Sequence, residues 1–115
     1  MTSTAQAHDY RRIVEDVRAA AVTIAEIADI VGVEERQVYN WAKGTSRPKS
    51  TNRDRLLEIH YIVSELRHVY TPEGVEIWLH GRNRTLDGRK PIDLLIEGDF
   101  QPVVFAVERL KTGAM

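Results

Sequence analysis

The chain has 115 residues, of which 43% are hydrophobic, and its 16 basic and 17 acidic residues give a formal net charge of −1. This size suits one compact domain or two small helical units that share a core, and the charge argues against indiscriminate binding to nucleic acid. Without cysteine the chain has no disulfides and no thiolate metal sites. We expect a cytoplasmic protein, because no stretch approaches the roughly 20 apolar residues of a membrane span and no signal-peptide pattern opens the chain.

The first predicted elements are a tail and a helix. Residues 1–8 are small and polar, which is typical of a flexible tail. An amphipathic helix follows, because apolar residues recur at helical spacing at Tyr10, Ile13, Val14, Val17 and Ala21.

A helix-turn-helix motif in residues 23–41 is the sharpest pattern in the chain. Thr23 and Glu26 form a capping box that starts its first helix. Ala28 puts a small residue where the two helices approach, and Gly32, four positions later, suits the left-handed conformation of the turn. The angle between the helices would be filled by Ile27, Val31, Val33, Val38 and Trp41. This combination favours a DNA-binding motif over an ordinary helical hairpin.

The second helix of the motif, from Glu34 to Lys43, is expected to enter the major groove of DNA with its N-terminal half. Arginine can read guanine, and asparagine or glutamine can read adenine, so Arg36, Gln37 and Asn40 are the candidates for base contacts. The other candidates for DNA contact are Tyr39 and, better suited to phosphates, Lys43, Ser46, Arg47 and Lys49. Glu34 and Glu35 would repel phosphates unless they cap the helix or read cytosine. One such unit covers a half-site, so we expect a dimer on a pseudo-palindromic operator.

Four more helices are predicted after a basic loop. Their expected spans are roughly 52–69, 71–79, 91–97 and 99–110. The first carries an apolar stripe of Leu56, Ile59, Val63, Leu66 and Tyr70. Proline near a helix start marks the next two, and Gly98-Asp99 is expected to break and re-cap the chain before the last. Residues 102–107 would also suit a buried strand, but no strand partner is evident, so helix is favoured.

No pattern of an active site is present. The four histidines are His8, His60, His68 and His80, and their spacing forms no metal motif. His60 lies on the apolar stripe and is expected to be a hydrogen-bonded core or interface residue. Asp93, Glu97 and Asp99 are interpreted as capping and solvated carboxylates. We therefore expect no enzyme, no metal site and no cofactor.

Three elements in order carry a family resemblance, namely Trp78-Leu79, Asn83-Arg84-x-Leu86-x-Gly88 and Pro91-x-x-Leu94-Leu95. They resemble the toxin-binding domain of Xre/MbcA/ParS antitoxins, its mycobacterial members above all, and with the helix-turn-helix the likeness covers about residues 10–112. The resemblance implies an all-α type II antitoxin with a helix-turn-helix region in residues 9–69 and a toxin-binding domain in residues 70–115. It also implies a RES-domain toxin that consumes NAD⁺ as partner, repression of the antitoxin's own operon, and assembly into dimers and larger toxin–antitoxin complexes.

The candidates for toxin contact lie in the C-terminal half. They are Trp78 and the basic residues Arg82, Arg84, Arg89, Arg109 and Lys111, followed by the tail residues Thr112, Gly113, Ala114 and Met115. In one hypothesis the toxin grips the last helix and the tail threads toward the NAD⁺ pocket. In the other the helix bodies themselves occlude the toxin.

Two further functions stay open from the sequence. A stand-alone helix-turn-helix repressor would use its C-terminal domain only to dimerise, through the stripe from Leu56 to Tyr70 or the apolar face of the last helix. A protein-only antitoxin would have lost DNA binding, and Glu34 and Glu35 are the best support for that hypothesis. A neighbouring gene for a RES-type protein would favour the antitoxin, and a steep salt dependence of operator binding would exclude the protein-only form.

Overall fold

A computed structural model describes residues 9–113, so the predictions for the tail 1–8, Ala114 and Met115 lie outside the described residues. Within this range the predicted all-α class is confirmed, because the chain forms seven α-helices and no strand. The helices are α1 (Tyr10–Ala19), α2 (Ile24–Val31), α3 (Glu35–Lys43), α4 (Ser50–Leu66), α5 (Pro72–His80), α6 (Pro91–Glu97) and α7 (Phe100–Lys111). A 3₁₀ turn, Arg84–Leu86, separates α5 from α6. None of the helices described is long and apolar enough to cross a membrane.

The helix-turn-helix forms as its sequence predicts. Both capping-box bonds are made, from the Thr23 backbone N–H to Glu26 Oε1 at 3.0 Å and from the Glu26 N–H to Thr23 Oγ1 at 3.1 Å. Gly32 has φ +86°, and the Ala28 carbonyl accepts from both Gly32 and Val33 at 2.8 and 3.0 Å. Because these bonds satisfy carbonyls that the helix end leaves unpaired, the chain can turn sharply into α3.

The ends of three helices differ from the predictions. Helix α1 ends at Ala19, and Ala21 has φ +72°, because the chain turns there to bury Val22. Helix α4 begins and ends earlier than predicted. The predicted cap at Asp99 is wrong, since its side chain makes no cap bond and its backbone, at φ −97° and ψ +80°, is not in the extended conformation of an N-cap.

Helix α4 is the central element of the fold and packs against α1, α2 and α7. Two of its side chains cap the C-terminus of α2, where Asn52 Nδ2 donates to the Val31 carbonyl at 3.2 Å and an Arg55 guanidinium N–H donates to the Ile30 carbonyl at 3.3 Å. Its apolar stripe is fully buried at Leu56, Ile59, Val63 and Leu66. The stripe therefore cannot be the dimer contact of a stand-alone repressor, because the chain's own helices already cover it.

The C-terminal helices complete the same core. Helix α6 packs against α2 and α7, and α7 packs against α4. The apolar face of α7, also considered as a dimer contact, is buried at Val103, Ala106 and Val107. One contiguous cluster of apolar side chains thus runs from the helix-turn-helix into the C-terminal helices, and it fixes the surfaces of both halves relative to each other.

Candidate functional site

The outer surface of α3, here called the α3 face, carries the predicted base-reading side chains. Arg36, Gln37 and Tyr39 are exposed, whereas Asn40 is half-buried. Asn40 is less accessible than its neighbours on this face, and its backbone carbonyl accepts the hydroxyl of Thr45 at 3.1 Å.

The two glutamates at the start of α3 occupy different positions in the helix. Glu34 occupies the N-cap position, but its side chain makes no cap hydrogen bond. Glu35 lies in the first turn, where its carboxylate is stabilised by the positive end of the helix dipole. Both carboxylates are exposed, so they add negative charge at the helix end that would face DNA.

The loop after α3 places the predicted phosphate-contacting residues beside the first helix. Ser46 and Arg47 line a shallow depression together with Arg11 and Trp41, while Lys43 and Lys49 are exposed close by in the chain. The Arg11 side chain lies against Gly44, where an added Cβ would come within 2.8 Å of Arg11 Cδ. Arg11 is thus a cation beside the loop that the sequence did not single out.

The C-terminal half contains an open groove of about 390 Å³, here called the Trp78 groove. Its residues are Tyr70, Trp78, Arg82, Asn83, Arg84, Thr85, Ala106, Arg109 and Leu110. Four predicted toxin-contacting residues, Trp78, Arg82, Arg84 and Arg109, therefore lie together. No aspartate or glutamate is among the residues lining the groove. The groove therefore has an aromatic and aliphatic floor and positively charged walls.

Local hydrogen bonds build the polar wall of this groove. Asn83 Oδ1 accepts from the Thr85 backbone N–H at 2.9 Å, as the sequence predicts, and an isolated antiparallel bridge joins Asn83 to Arg89. Gly88 has φ +80° and Asp87 φ +57°, so Asp87 contributes a left-handed backbone conformation to the turn. An Arg82 guanidinium N–H donates to the Gly88 carbonyl at 3.2 Å. The turn holds Arg82 in place while its side chain remains exposed.

The floor of the groove depends on the start of α5. The Thr71 hydroxyl accepts from the Gly74 N–H at 3.2 Å, and Pro72 occupies the first turn, as predicted. Gly74 is needed here, because an added Cβ would lie 2.8 Å from Cβ of Tyr70. Tyr70 can therefore fold onto α5 and reach the groove beside Trp78.

The remaining toxin-contact candidates lie outside the groove. Arg89 forms an ion pair with Glu97. The ammonium group of Lys111 lies 2.5 Å from Glu65 on α4, and this hydrogen bond raises the pKa of Lys111 and lowers the pKa of Glu65. Thr112 donates its hydroxyl to the Arg109 carbonyl at 3.1 Å. These contacts fix the end of α7, and Gly113 is the last described residue.

Two other titratable residues singled out from the sequence, His60 and Glu97, have charged side-chain partners. His60 Nε2 lies 3.1 Å from Asp16 Oδ2, which agrees with the expected hydrogen-bonded histidine. Asp93 lies in the first turn of α6, and Glu97 pairs with Arg89. Across residues 9–113, no group of three or more histidine, aspartate or glutamate side chains could hold a metal ion.

The fold and its two surfaces define a helix-turn-helix protein with a C-terminal helical module that carries a basic, aromatic groove. No family model matches the chain. Over 102 residues it is 37% identical to the probable mycobacterial cidal antitoxin Rv3188 of Mycobacterium tuberculosis, covering 89% of this chain and 87% of that protein. Over 97 residues it is 31% identical to the mycobacterial cidal antitoxin MbcA of Mycobacterium bovis, covering 84% and 86%.

The structure also matches a chain of the crystal structure of the M. tuberculosis MbcT–MbcA toxin–antitoxin complex. The TM-score is 0.80 at 28% sequence identity, over 92% of this chain and 96% of that chain. The chain belongs to the family of mycobacterial cidal antitoxins, so it is an antitoxin of a toxin–antitoxin system. Antitoxins are generally not enzymes.

Proposed function

We propose that this antitoxin neutralises a RES-domain toxin that consumes NAD⁺, and that it represses its own operon through the helix-turn-helix. The observation that carries the first part is the convergence of Trp78, Arg82, Arg84 and Arg109 in one groove. A relative, MbcA, is found in a toxin–antitoxin complex with MbcT. The RES class of the toxin and its use of NAD⁺ rest on the family resemblance.

The chemistry of the groove favours a particular kind of toxin segment. Tryptophan and arginine are the residues that most often dominate binding energy at protein interfaces. Trp78 offers a flat apolar surface, and the exposed guanidinium groups of Arg82 and Arg84 can pair with carboxylates in a two-bond geometry. We infer that the groove accepts an apolar side chain of the toxin flanked by acidic residues.

The end of α7 supports a role for the C-terminal tail beside the groove. Lys111 is held by Glu65, and Arg109, two residues earlier in the same helix, lines the groove. The tail from Thr112 onward therefore starts from a fixed point next to the surface that would meet the toxin. In this proposal the tail enters the NAD⁺ pocket, and occlusion by the helix bodies is the alternative mechanism.

The proposed repressor activity rests on the α3 face and the basic loop. The helix-turn-helix geometry leaves the start of α3 accessible for the major groove of a half-site. A dimer would then bind a pseudo-palindromic operator in the cytoplasm, and larger toxin–antitoxin assemblies would form through the Trp78 groove and tail. The stand-alone repressor is less favoured, because the apolar surfaces assigned to its dimer contact are buried.

The test is co-expression of the full chain with the adjacent open reading frame, with growth and NAD⁺ followed together. We expect the neighbour alone to deplete NAD⁺ and arrest growth, and the antitoxin to prevent both through a stable complex. A harmless neighbour, or protection without a complex, would overturn the proposal. Deleting residues 111–115 in the same assay separates the mechanisms, since undiminished neutralisation would exclude the tail as a plug.

Operator binding is tested separately with the promoter DNA of the same operon. A logarithmic plot of affinity against salt concentration is expected to be steep, because Lys43, Arg47 and Lys49 would displace counterions from phosphates. A flat salt dependence, or no binding to this promoter, would overturn the repressor part and leave a protein-only antitoxin.

A further inference from the structure

His80, the last residue of α5, joins the C-terminal module to the helix-turn-helix. Its Nδ1 atom lies 2.8 Å from the backbone carbonyl of Glu76, and its Nε2 atom lies 2.5 Å from Glu26 Oε2. A carbonyl oxygen and an ionised carboxylate only accept hydrogen bonds. Both ring nitrogens therefore face hydrogen-bond acceptors, and only the positively charged imidazolium can donate to both at once.

The carboxylate of Glu26 serves two elements at once. Its Oε1 accepts the Thr23 backbone N–H of the capping box, and its Oε2 faces His80. The first turn of α2, the opening helix of the DNA-binding motif, is thus tied to the end of α5. Arg82 and Arg84 of the Trp78 groove follow His80 within four residues, so this ion pair lies between the two functional surfaces.

The surroundings of His80 favour its charged form. Burial by itself lowers the pKa of His80, but the hydrogen bonds to Glu26 and to the Glu76 carbonyl, with the negative charges of both glutamates, raise the pKa above its ordinary value. Burial raises the pKa of Glu26, but hydrogen bonds from Thr23 and His80 bring this pKa below its ordinary value. The charged groups that act on the ring are Glu26 on α2 and Glu76 on α5 itself.

We propose that His80 is a proton-dependent latch that couples the Trp78 groove to the helix-turn-helix. When the ring is charged, it holds the end of α5 and the adjoining groove against the first turn of α2. When the ring loses its proton, one of its two hydrogen bonds is lost and this contact loosens. The consequence for toxin and operator binding rests on the proposed function, but the latch itself does not.

The direction of the pH effect follows from the two pKa shifts. A histidine whose pKa is raised by folding contributes stability that is complete below its ordinary pKa of about 6.5 and is lost as the pH rises through the raised value. A glutamate with a lowered pKa contributes stability above its ordinary value and loses it as the pH falls through the lowered value. The latch is therefore closed between the lowered pKa of Glu26 and the raised pKa of His80, and it opens as the pH rises through the pKa of His80.

The experiment is an NMR titration of the histidine rings in the full chain, from about pH 5 to about pH 9, together with hydrogen exchange of the Glu26 amide. We expect His80 to titrate above ordinary histidine and the Glu26 amide to lose protection in the same pH range. In Glu26→Gln the His80 titration should shift down, because the charge of the partner is gone. An unchanged titration in this variant would overturn the proposal.

A second variant separates the latch from a merely structural role. Gln at position 80 keeps an N–H donor for Glu26 but cannot titrate, so His80→Gln should remove the pH dependence of Glu26 protection without unfolding the chain. His60→Gln, which alters the other histidine–carboxylate pair on α4 and α1, is the matched control and should leave that pH dependence intact. Retention of the wild-type pH dependence in His80→Gln would contradict the latch. Since neither measurement uses toxin or DNA, their failure is distinct from failure of the proposed function.

Discussion

The α3 face and the Trp78 groove both carry arginine, but their charges are arranged differently. On α3, the carboxylates of Glu34 and Glu35 precede Arg36 at the helix start. Negative and positive charges therefore lie next to each other on this surface. In the groove, arginines surround an aromatic floor, and no carboxylate is among the lining residues. The mixed surface suits the sequence discrimination proposed for the α3 face, whereas the uniformly positive groove suits the proposed binding of an acidic, apolar toxin segment.

The two surfaces also differ in how they are assembled. The α3 face comes from one helix and its loop, residues 36–49, whereas the groove joins residues 70–85 to residues 106–110. They nevertheless rest on one contiguous core. A substitution in that core should therefore disable both surfaces, and a substitution on either surface should disable only one.

The largest effect is expected from Leu79→Ala. Leu79 follows Trp78 in α5 and is fully buried, and loss of such a leucine side chain costs about 2–5 kcal/mol of stability. Because the core is shared, the helix-turn-helix should unfold with the groove in one urea transition, monitored by far-UV circular dichroism and by tryptophan fluorescence from Trp41 and Trp78. Ile77→Ala, at a side chain 73% exposed on the same helix, should change stability by less than about 0.5 kcal/mol. Two separate transitions in Leu79→Ala would contradict a shared core.

The next largest effect should separate the two surfaces. Trp78→Ala should weaken toxin binding by about 2–4 kcal/mol, or at least roughly thirtyfold in Kd, and leave operator affinity unchanged. Arg36→Ala should weaken operator binding by about 1–3 kcal/mol and leave toxin binding unchanged. Both affinities are measured by calorimetry for each variant. If either variant lost affinity for both toxin and operator while its melting temperature stayed unchanged, the two surfaces would overlap.

The parts of the fold that sequence could predict are those made by local contacts. The capping box of Thr23 and Glu26 and the turn at Gly32 depend on residues within five positions of each other, so their spacing was informative. Asp99 shows the limit of this reasoning, because a residue type that favours caps here has the wrong backbone conformation for one. Residues 102–107 are helical, as predicted, and residues 9–113 contain no strand with which they could pair.

The candidate site was only partly predictable. The sequence singled out Trp78 and the arginines, but their position beside Tyr70 and Leu110 depends on how α5, the 3₁₀ turn and α7 pack together. Lys111 pairs with Glu65, 46 positions away in the sequence, and His80 pairs with Glu26, 54 positions away. Such pairs follow from tertiary packing, and no periodicity in the sequence specifies them.

The smallest predicted effect is the difference in stability between alanine variants of two glycines that have the same backbone conformation. Gly88 and Gly98 have φ +80° and +85°, so alanine at either should cost about 1–2 kcal/mol in backbone strain. Nothing lies within 4 Å of an added Cβ at Gly88, whereas at Gly98 the Cβ would come within 2.5 Å of Arg55 Nη2. Since Arg55 also caps the Ile30 carbonyl, Gly98→Ala should displace that guanidinium and lose about 0.5–1.5 kcal/mol more.

This difference would show that a residue of the C-terminal module supports the helix-turn-helix from a distance. We expect Gly98→Ala to speed amide exchange at the Gly32 turn, and Gly88→Ala to leave exchange there unchanged. Adding Arg55→Leu to both glycine variants should abolish the difference between them, because the guanidinium that distinguishes the two sites is then absent. Equal unfolding midpoints for Gly88→Ala and Gly98→Ala in the presence of Arg55 would instead mean that Arg55 moves aside without cost and does not stabilise the turn.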